Sequence, residues 1–210
     1  MTDPERSHQL TVIELGDAPE PWADAGFTVV DDTVTLGATT IHLTGLGGWF
    51  RGWRLDGVGD DIDSLGVSEL GPAGSGGRVA HPNGCTGIDH IVVLTGDSDR
   101  TIAAFEDADL DIRGHRITET YGFPARQTFF WAGDVIVELI GPETDEMRND
   151  NPVRVFGLAL VSDNLAGTKS FFGDRMGDMK AAVQPGREIA TLRHKEYGIS
   201  LPIAVMSPHA

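Results

Sequence analysis

The pattern of apolar and polar positions along the chain predicts short β-strands separated by short helices. Two stretches, at 87–94 and 133–142, are β-branched and almost wholly apolar, which is typical of buried strands. His90 stands near the middle of the first stretch and Glu138 near the middle of the second. Burying an unpaired carboxylate is costly, so Glu138 is expected to have a partner. A metal ion shared with His90, or a hydrogen bond to it, is the simplest such partner.

Between these two strands the pattern predicts a helix followed by a β-hairpin. Asp97 or Ser98 is a suitable N-cap, and the residues that follow carry apolar side chains at helical spacing. The hairpin strands are expected at 112–117 and 126–131. The stretch 87–142 is therefore predicted to form one β-α-β-β-β unit.

The same unit recurs along the chain as a repeated spacing. His90 lies seven residues before Asp97, and Phe156 lies seven residues before Asp163. Self-similarity of this kind is strong evidence about architecture. The expected divisions are a shortened first module at 1–58, a Gly-rich linker at 59–86, a full module at 87–142, a connector at 143–153 and a second full module at 154–210.

The Gly-rich linker is the stretch with the weakest structural pattern. It begins with an acidic run at 60–63 and continues into the glycine-rich run 71–77. These glycines follow no predicted strand and precede no predicted helix, so they do not indicate a phosphate-binding loop. The composition predicts a mobile linker, which would be the least ordered part of the chain or a long loop lying on the surface.

Composition narrows the class of partner. The chain has 210 residues, of which 40% are hydrophobic, enough for a sizeable core. Its net charge of -16, from 32 acidic and 16 basic residues, argues against nucleic acid and anionic membranes as partners. The single cysteine, Cys85, fits a reducing compartment. No apolar run approaches the roughly 20 residues of a membrane span, and a cytoplasmic location is expected.

Two motifs are the strand Gly87–Val93 with His90 and the later Asp97, and the run Glu138-Leu139-Ile140-Gly141-Pro142. They resemble motifs of the vicinal oxygen chelate superfamily, which includes glyoxalase I, bleomycin-resistance proteins and extradiol dioxygenases. The resemblance is good over 87–208 and faint over 9–58. It implies an α+β fold in which repeated β-α-β-β-β modules form a cleft from curved mixed sheets, as in a glyoxalase-like member of the superfamily.

The resemblance also implies a divalent metal ion, such as Zn, Ni, Mn or Fe, bound by His90 and Glu138. Two more ligands would come from a partner module, but the third module offers Phe156 and Ala204 at those positions, and neither can bind a metal. Three ways to complete the site are open. His42 would join if the first module pairs with the second, a symmetric homodimer would supply a second pair, or water and substrate oxygens would fill the open positions.

Two functions follow from the alternatives. With a metal, the protein would be a lyase or isomerase of the glyoxalase type acting on a small substrate with vicinal oxygens, and Glu138 would serve as ligand and catalytic base. Without one, the cleft would sequester a small apolar or aromatic molecule, as bleomycin-resistance proteins do. Phe156 is expected to contact the substrate and favours the second function. Arg126 or Gln127 must face the cleft, and an inward Arg126 would bind a substrate carboxylate.

Overall fold

In the computed structural model, which describes residues 8–73, 79–119 and 124–209, the strands form two mixed sheets and three α-helices connect them. None of the described helices has the length and apolar character that crossing a bilayer requires. The helices are α1 (Pro19–Asp24), α2 (Ser98–Asp107) and α3 (Leu165–Phe172). The strands are β1 (Leu10–Leu15), β2 (Thr33–Leu36), β3 (Thr39–Leu43), β4 (Phe50–Leu55), β5 (Cys85–Leu94), β6 (Ile112–Thr118), β7 (Ala125–Ala132), β8 (Val135–Pro142), β9 (Arg154–Ser162), β10 (Lys180–Ala181), β11 (Glu188–Thr191) and β12 (Ile203–Met206).

The larger sheet contains two β-α-β-β-β units joined edge to edge. Its strand order is β10-β11-β12-β9-β5-β8-β7-β6, with β5 and β9 antiparallel at the centre. In each unit the first strand pairs in parallel with the fourth, β5 with β8 and β9 with β12. The predicted α+β fold of repeated modules with mixed sheets is confirmed.

Each of the two central strands carries a β-bulge close to the position that His90 has in the repeat. In β5 the extra residue is Asp89, between the pairs Ile88↔Leu160 and His90↔Ala159. In β9 it is Phe156, which lies between the pairs Val93↔Val155 and Val92↔Gly157. Successive side chains of a regular strand point to opposite faces, but a bulge re-aims them. The bulge in β5 is therefore what allows Asp89 and His90 to meet.

The smaller sheet has the order β2-β3-β1-β4. Strands β1, β3 and β2 are arranged like the first, fourth and third strands of a module, with β1 and β3 parallel. Strand β4 lies antiparallel on the other side of β1, where β9 lies beside β5. The edge that would pair with another module is thus taken by β4, and the second unit pairs with the third instead. The exact module boundaries stay a prediction.

One continuous core lies between the larger sheet, its helices and the smaller sheet. Ile91 and Val93 of β5 point into it, and the alternate residues of β5 point to the concave face. Trp53 of β4 meets the ring of Phe105 in α2 edge-on at 6.1 Å, and Phe105 stacks on Phe130 of β7 at 4.8 Å. Since the core occupies one face of the larger sheet, the opposite face is left to form a cleft.

The described residues between β4 and β5, 56–73 and 79–84, pack against the protein, although they form no regular helix or strand. Ile62 and Leu65 are buried in the core, and Val67 forms a parallel bridge with Trp53. Further along, the ring of His81 accepts a hydrogen bond from the backbone N–H of Thr28 at 3.0 Å. Residues 59–73 and 79–84 thus form the predicted loop without a regular helix or strand, and several of them are anchored to the core; the mobility of this loop stays a prediction, and residues 74–78 lie outside the described part of the chain.

Candidate functional site

The concave face of the larger sheet holds a cleft with a volume of about 990 Å³. Most of its wall is apolar and comes from both units, with the connector at 147–152 closing one end. Ligand sites are commonly clefts of this size with apolar walls and few polar groups. Among its apolar residues are Val92, Leu94, Ile140, Met147, Leu158 and Ile203. The size and lining are those of a small-molecule site.

His90 and Glu138 meet on the wall of this cleft. Nε2 of His90 lies 3.4 Å from Oε2 of Glu138, and the two side chains are only 14% and 11% exposed. Both project to the concave face because they share the alternation of Val92 on β5 and Ile140 on β8. The amide of Gln127 donates a hydrogen bond to Oε1 of Glu138. The partner predicted for Glu138 is therefore His90, and Gln127 is a second partner.

The buried carboxylate of Asp89 contacts the ring nitrogen of His90 that lies away from Glu138. Nδ1 of His90 lies 2.8 Å from Oδ2 of Asp89, and the other oxygen of Asp89 lies 2.6 Å from Nη2 of Arg187. Burial alone would raise the pKa of Asp89, but the hydrogen bonds and charges of His90 and Arg187 outweigh it and lower that pKa to about 2. Asp89 is therefore ionised at neutral pH and only accepts hydrogen bonds, so Nδ1 of His90 carries the proton.

This tautomer leaves Nε2 of His90 as the ring nitrogen that faces Glu138 and the cleft. Together with the carboxylate oxygens of Glu138, it offers hydrogen-bonding atoms to a polar group of a ligand.

Sequence reasoning missed Asp89 and Arg187. The sequence shows Asp89 as a charged residue in an apolar strand, but strand periodicity alone places its side chain on the other face of the strand from His90. Arg187 lies far along the chain between β10 and β11, and no local pattern connects it with β5. Only the charge of Asp89 could have signalled a buried partner.

Comparison with known proteins is informative only at the level of structure. No protein-family model and no curated protein match the sequence. Methylmalonyl-CoA epimerase from Mycobacterium tuberculosis is 16% identical, with a TM-score of 0.50 over 63% of this chain and 94% of that one. A triple mutant of 4-hydroxymandelate synthase from Streptomyces coelicolor is 15% identical, with a TM-score of 0.59 over 96% of this chain and 93% of that one. The chain has the vicinal oxygen chelate fold. At this identity the likeness shows the fold and leaves the reaction open.

The vicinal oxygen chelate fold implies a metal ion in the cleft, and the donor set provides a test of whether one fits. Among residues 8–73, 79–119 and 124–209 no group of three or more His, Cys, Asp or Glu side chains is placed to hold an ion. Phe156 and Ala204 line the cleft from the third module and have no donor atom. The carboxylate of Glu138 already contacts Gln127 and His90. Because zinc sites in proteins usually have three or four protein ligands, the described residues of one chain do not by themselves fit a resident metal ion of this kind.

Arg126 requires a correction. Phe130 and Ala132 of β7 point into the core, and Arg126 shares their alternation, so it lies on the face opposite the cleft. There its guanidinium pairs with Asp99 of α2. Gln127, and not Arg126, faces the side of the sheet that forms the cleft.

His42 also requires a correction. It lies on β3 of the smaller sheet, where Nε2 is 2.8 Å from the carbonyl oxygen of Gly71. Because the first module does not pair with the second, His42 cannot join His90 and Glu138. In contrast, Phe156 lines the cleft and is 41% exposed, as a ligand-contacting residue would be.

Proposed function

We propose that this protein binds a small, largely apolar molecule in the cleft without a resident metal ion, as a sequestering protein of the bleomycin-resistance type would. The proposal rests on the residues that line the cleft. Phe156 and Ala204 stand where the second module has His90 and Glu138, so these two positions of the third module offer only apolar contacts to a ligand. Burial of apolar ligand surface is favourable by roughly 25 cal/mol per Å².

Phe156 is the main apolar contact that we assign to the ligand. Its position in the bulge of β9 turns the ring toward the cleft and leaves 41% of the residue exposed. Exposed aromatic rings in clefts supply large contact area at low entropic cost. His90 and Glu138 would then form hydrogen bonds with one polar group of the same ligand and set its orientation.

The second candidate is a lyase or isomerase acting on a substrate with vicinal oxygens, which the His90–Glu138 pair favours. In that case Glu138 would take a proton from the carbon next to a carbonyl group. Gln127 and His90 would hold the carboxylate in place, and Asp89 would hold His90. The described residues supply only two of the ligands that a metal-dependent form of this reaction needs.

The first experiment tests binding with N-phenyl-1-naphthylamine, an uncharged apolar dye whose fluorescence rises on burial. The wild type should bind it, and Ala204→Trp should weaken binding by roughly tenfold or more because the indole fills the cleft. Ala181→Trp is the matched control, since Ala181 is exposed on β10 outside the cleft. Equal binding by all three proteins, or no binding by the wild type, would overturn the proposal.

Metal content separates the two candidates. Protein purified without a chelating column should carry well under one Zn, Ni, Mn or Fe ion per chain, and His90→Ala should not change that value. A stoichiometric ion that disappears in His90→Ala would favour the enzyme.

A further inference from the structure

We infer that the ligand of the cleft carries an anionic group, which binds Arg154 at the end of the cleft away from Glu138. This inference rests on the proposed binding function and adds the chemical class of the ligand. It comes from the position and the surroundings of Arg154, a residue that neither the fold nor the His90–Glu138 pair explains.

Arg154 is a cleft residue at the beginning of β9. Its backbone lies opposite Leu94, the last residue of β5, and both residues line the cleft. The guanidinium carbon is 6.0 Å from the ring centroid of Phe156, the aromatic residue assigned above to the ligand. Within the described part of the chain, Arg154 forms no ion pair.

Arg154 has no carboxylate partner among the described residues, although the chain is rich in carboxylates. The chain has 32 acidic and 16 basic residues. Six of the other described arginines form ion pairs with carboxylates. These are Arg51, Arg100, Arg126, Arg148, Arg187 and Arg193. Because Arg154 has no such partner and faces a cleft, a ligand anion is the partner that its surroundings leave open.

The cleft is also polarised from end to end. Of the described residues that line it, Arg154 is the only lysine or arginine and Glu138 is the only aspartate or glutamate. Leu94, opposite Arg154, is four residues along β5 from His90, which corresponds to roughly 13 Å at about 3.3 Å per residue. The wall between them is apolar and includes Val92.

These features describe an elongated amphipathic anion. Its carboxylate, sulfonate or phosphate group would accept paired hydrogen bonds from the guanidinium of Arg154, as arginine commonly provides. Asn149 and Asn151 line the same end of the cleft. The apolar body would lie along Val92 and Phe156, and a hydrogen-bonding group at the far end would reach His90 and Glu138.

The test compares two dyes that differ by one anionic group. The anionic dye is 8-anilino-1-naphthalenesulfonate, and N-phenyl-1-naphthylamine is its uncharged counterpart. Arg154→Gln should weaken binding of the sulfonate roughly tenfold or more while changing binding of the uncharged dye less than about twofold. Arg154→Lys should restore part of the difference because it keeps the charge. Arg193→Gln is the matched control, since its side chain is 61% exposed and pairs with Glu196.

The outcomes separate this inference from the proposed function. If neither dye binds the wild type, the binding function itself fails. If both dyes bind but Arg154→Gln weakens neither, or weakens both equally, the binding function stands and the anionic subsite is wrong. A loss of sulfonate binding of the same size in Arg193→Gln would mean that net charge alone acts, and would also overturn the subsite.

Discussion

At the residue scale, the site depends on a chain of contacts that begins outside the cleft. Arg187 pairs with Asp89, Asp89 accepts from His90, and His90 contacts Glu138. The side chains of Arg187 and Asp89 are 2% and 3% exposed, so this pair is shielded from water. Removing Arg187 would leave the buried charge of Asp89 with only the imidazoles of His90 and His209 beside it, which is more costly than losing a surface pair.

We therefore expect Arg187→Leu to lower the free energy of unfolding by about 3–5 kcal/mol, measured by denaturant titration. The matched control is Arg193→Leu, whose exposed pair with Glu196 should contribute less than about 1 kcal/mol. Adding Asp89→Leu to Arg187→Leu should recover part of the loss, because the buried charge is then gone. Equal effects of the two single substitutions would contradict the assigned role of Arg187.

At the element scale, the shape of the cleft depends on how closely β9 approaches the segment before β12. A Cβ added to Gly157 would lie 2.6 Å from the carbonyl oxygen of Pro202, closer than real side chains come to backbone. The neighbouring N–H of Leu158 donates to that same oxygen at 2.9 Å. Glycine at 157 is thus required by the close packing of two backbone segments.

Gly157→Ala should lower the free energy of unfolding by about 1–3 kcal/mol, because β9 must move away from Pro202. Gly87→Ala is the matched control in the neighbouring strand β5, where an added Cβ would meet nothing within 4 Å. Its effect should stay within roughly 0.5 kcal/mol. Chemical denaturation of both variants provides the measurement, and equal stability would refute the packing argument.

At the scale of the whole molecule, the two sheets share one core. Trp53 from the smaller sheet contacts Phe105, and Cys85 at the start of β5 is buried in the same cluster. We therefore expect the protein to unfold in one cooperative transition, without separate unfolding of the first module.

Cys85 provides the probe for this transition. Burial raises the pKa of its thiol from 9.0 to about 12, so the folded protein should hardly react with a thiol reagent at pH 8. Labelling should rise along the denaturant curve together with the loss of circular dichroism. Because the unfolded thiol ionises first, stability should also fall as pH rises above 9.0. Labelling that precedes the loss of circular dichroism would show that the core opens locally.

The sequence by itself determined the strands, the repeated unit and the positions of His90 and Glu138. These features depend on local periodicity, because alternation of apolar residues and the spacing to a helix cap act within a few residues. The same local signal allowed either Arg126 or Gln127 to face the cleft. It could not decide between them, because the burial of Phe130 and Ala132 sets the facing of β7.

Only the tertiary structure decided which modules pair and which groups reach the cleft. Strand β4 occupies the edge of β1, so His42 is separated from His90 although its position in the repeat matches that of Glu138. The bulge at Asp89 and the arrival of Arg187 depend on contacts between residues far apart in the chain. A pattern within a few residues cannot indicate such contacts, because they join segments that come together only when the chain folds.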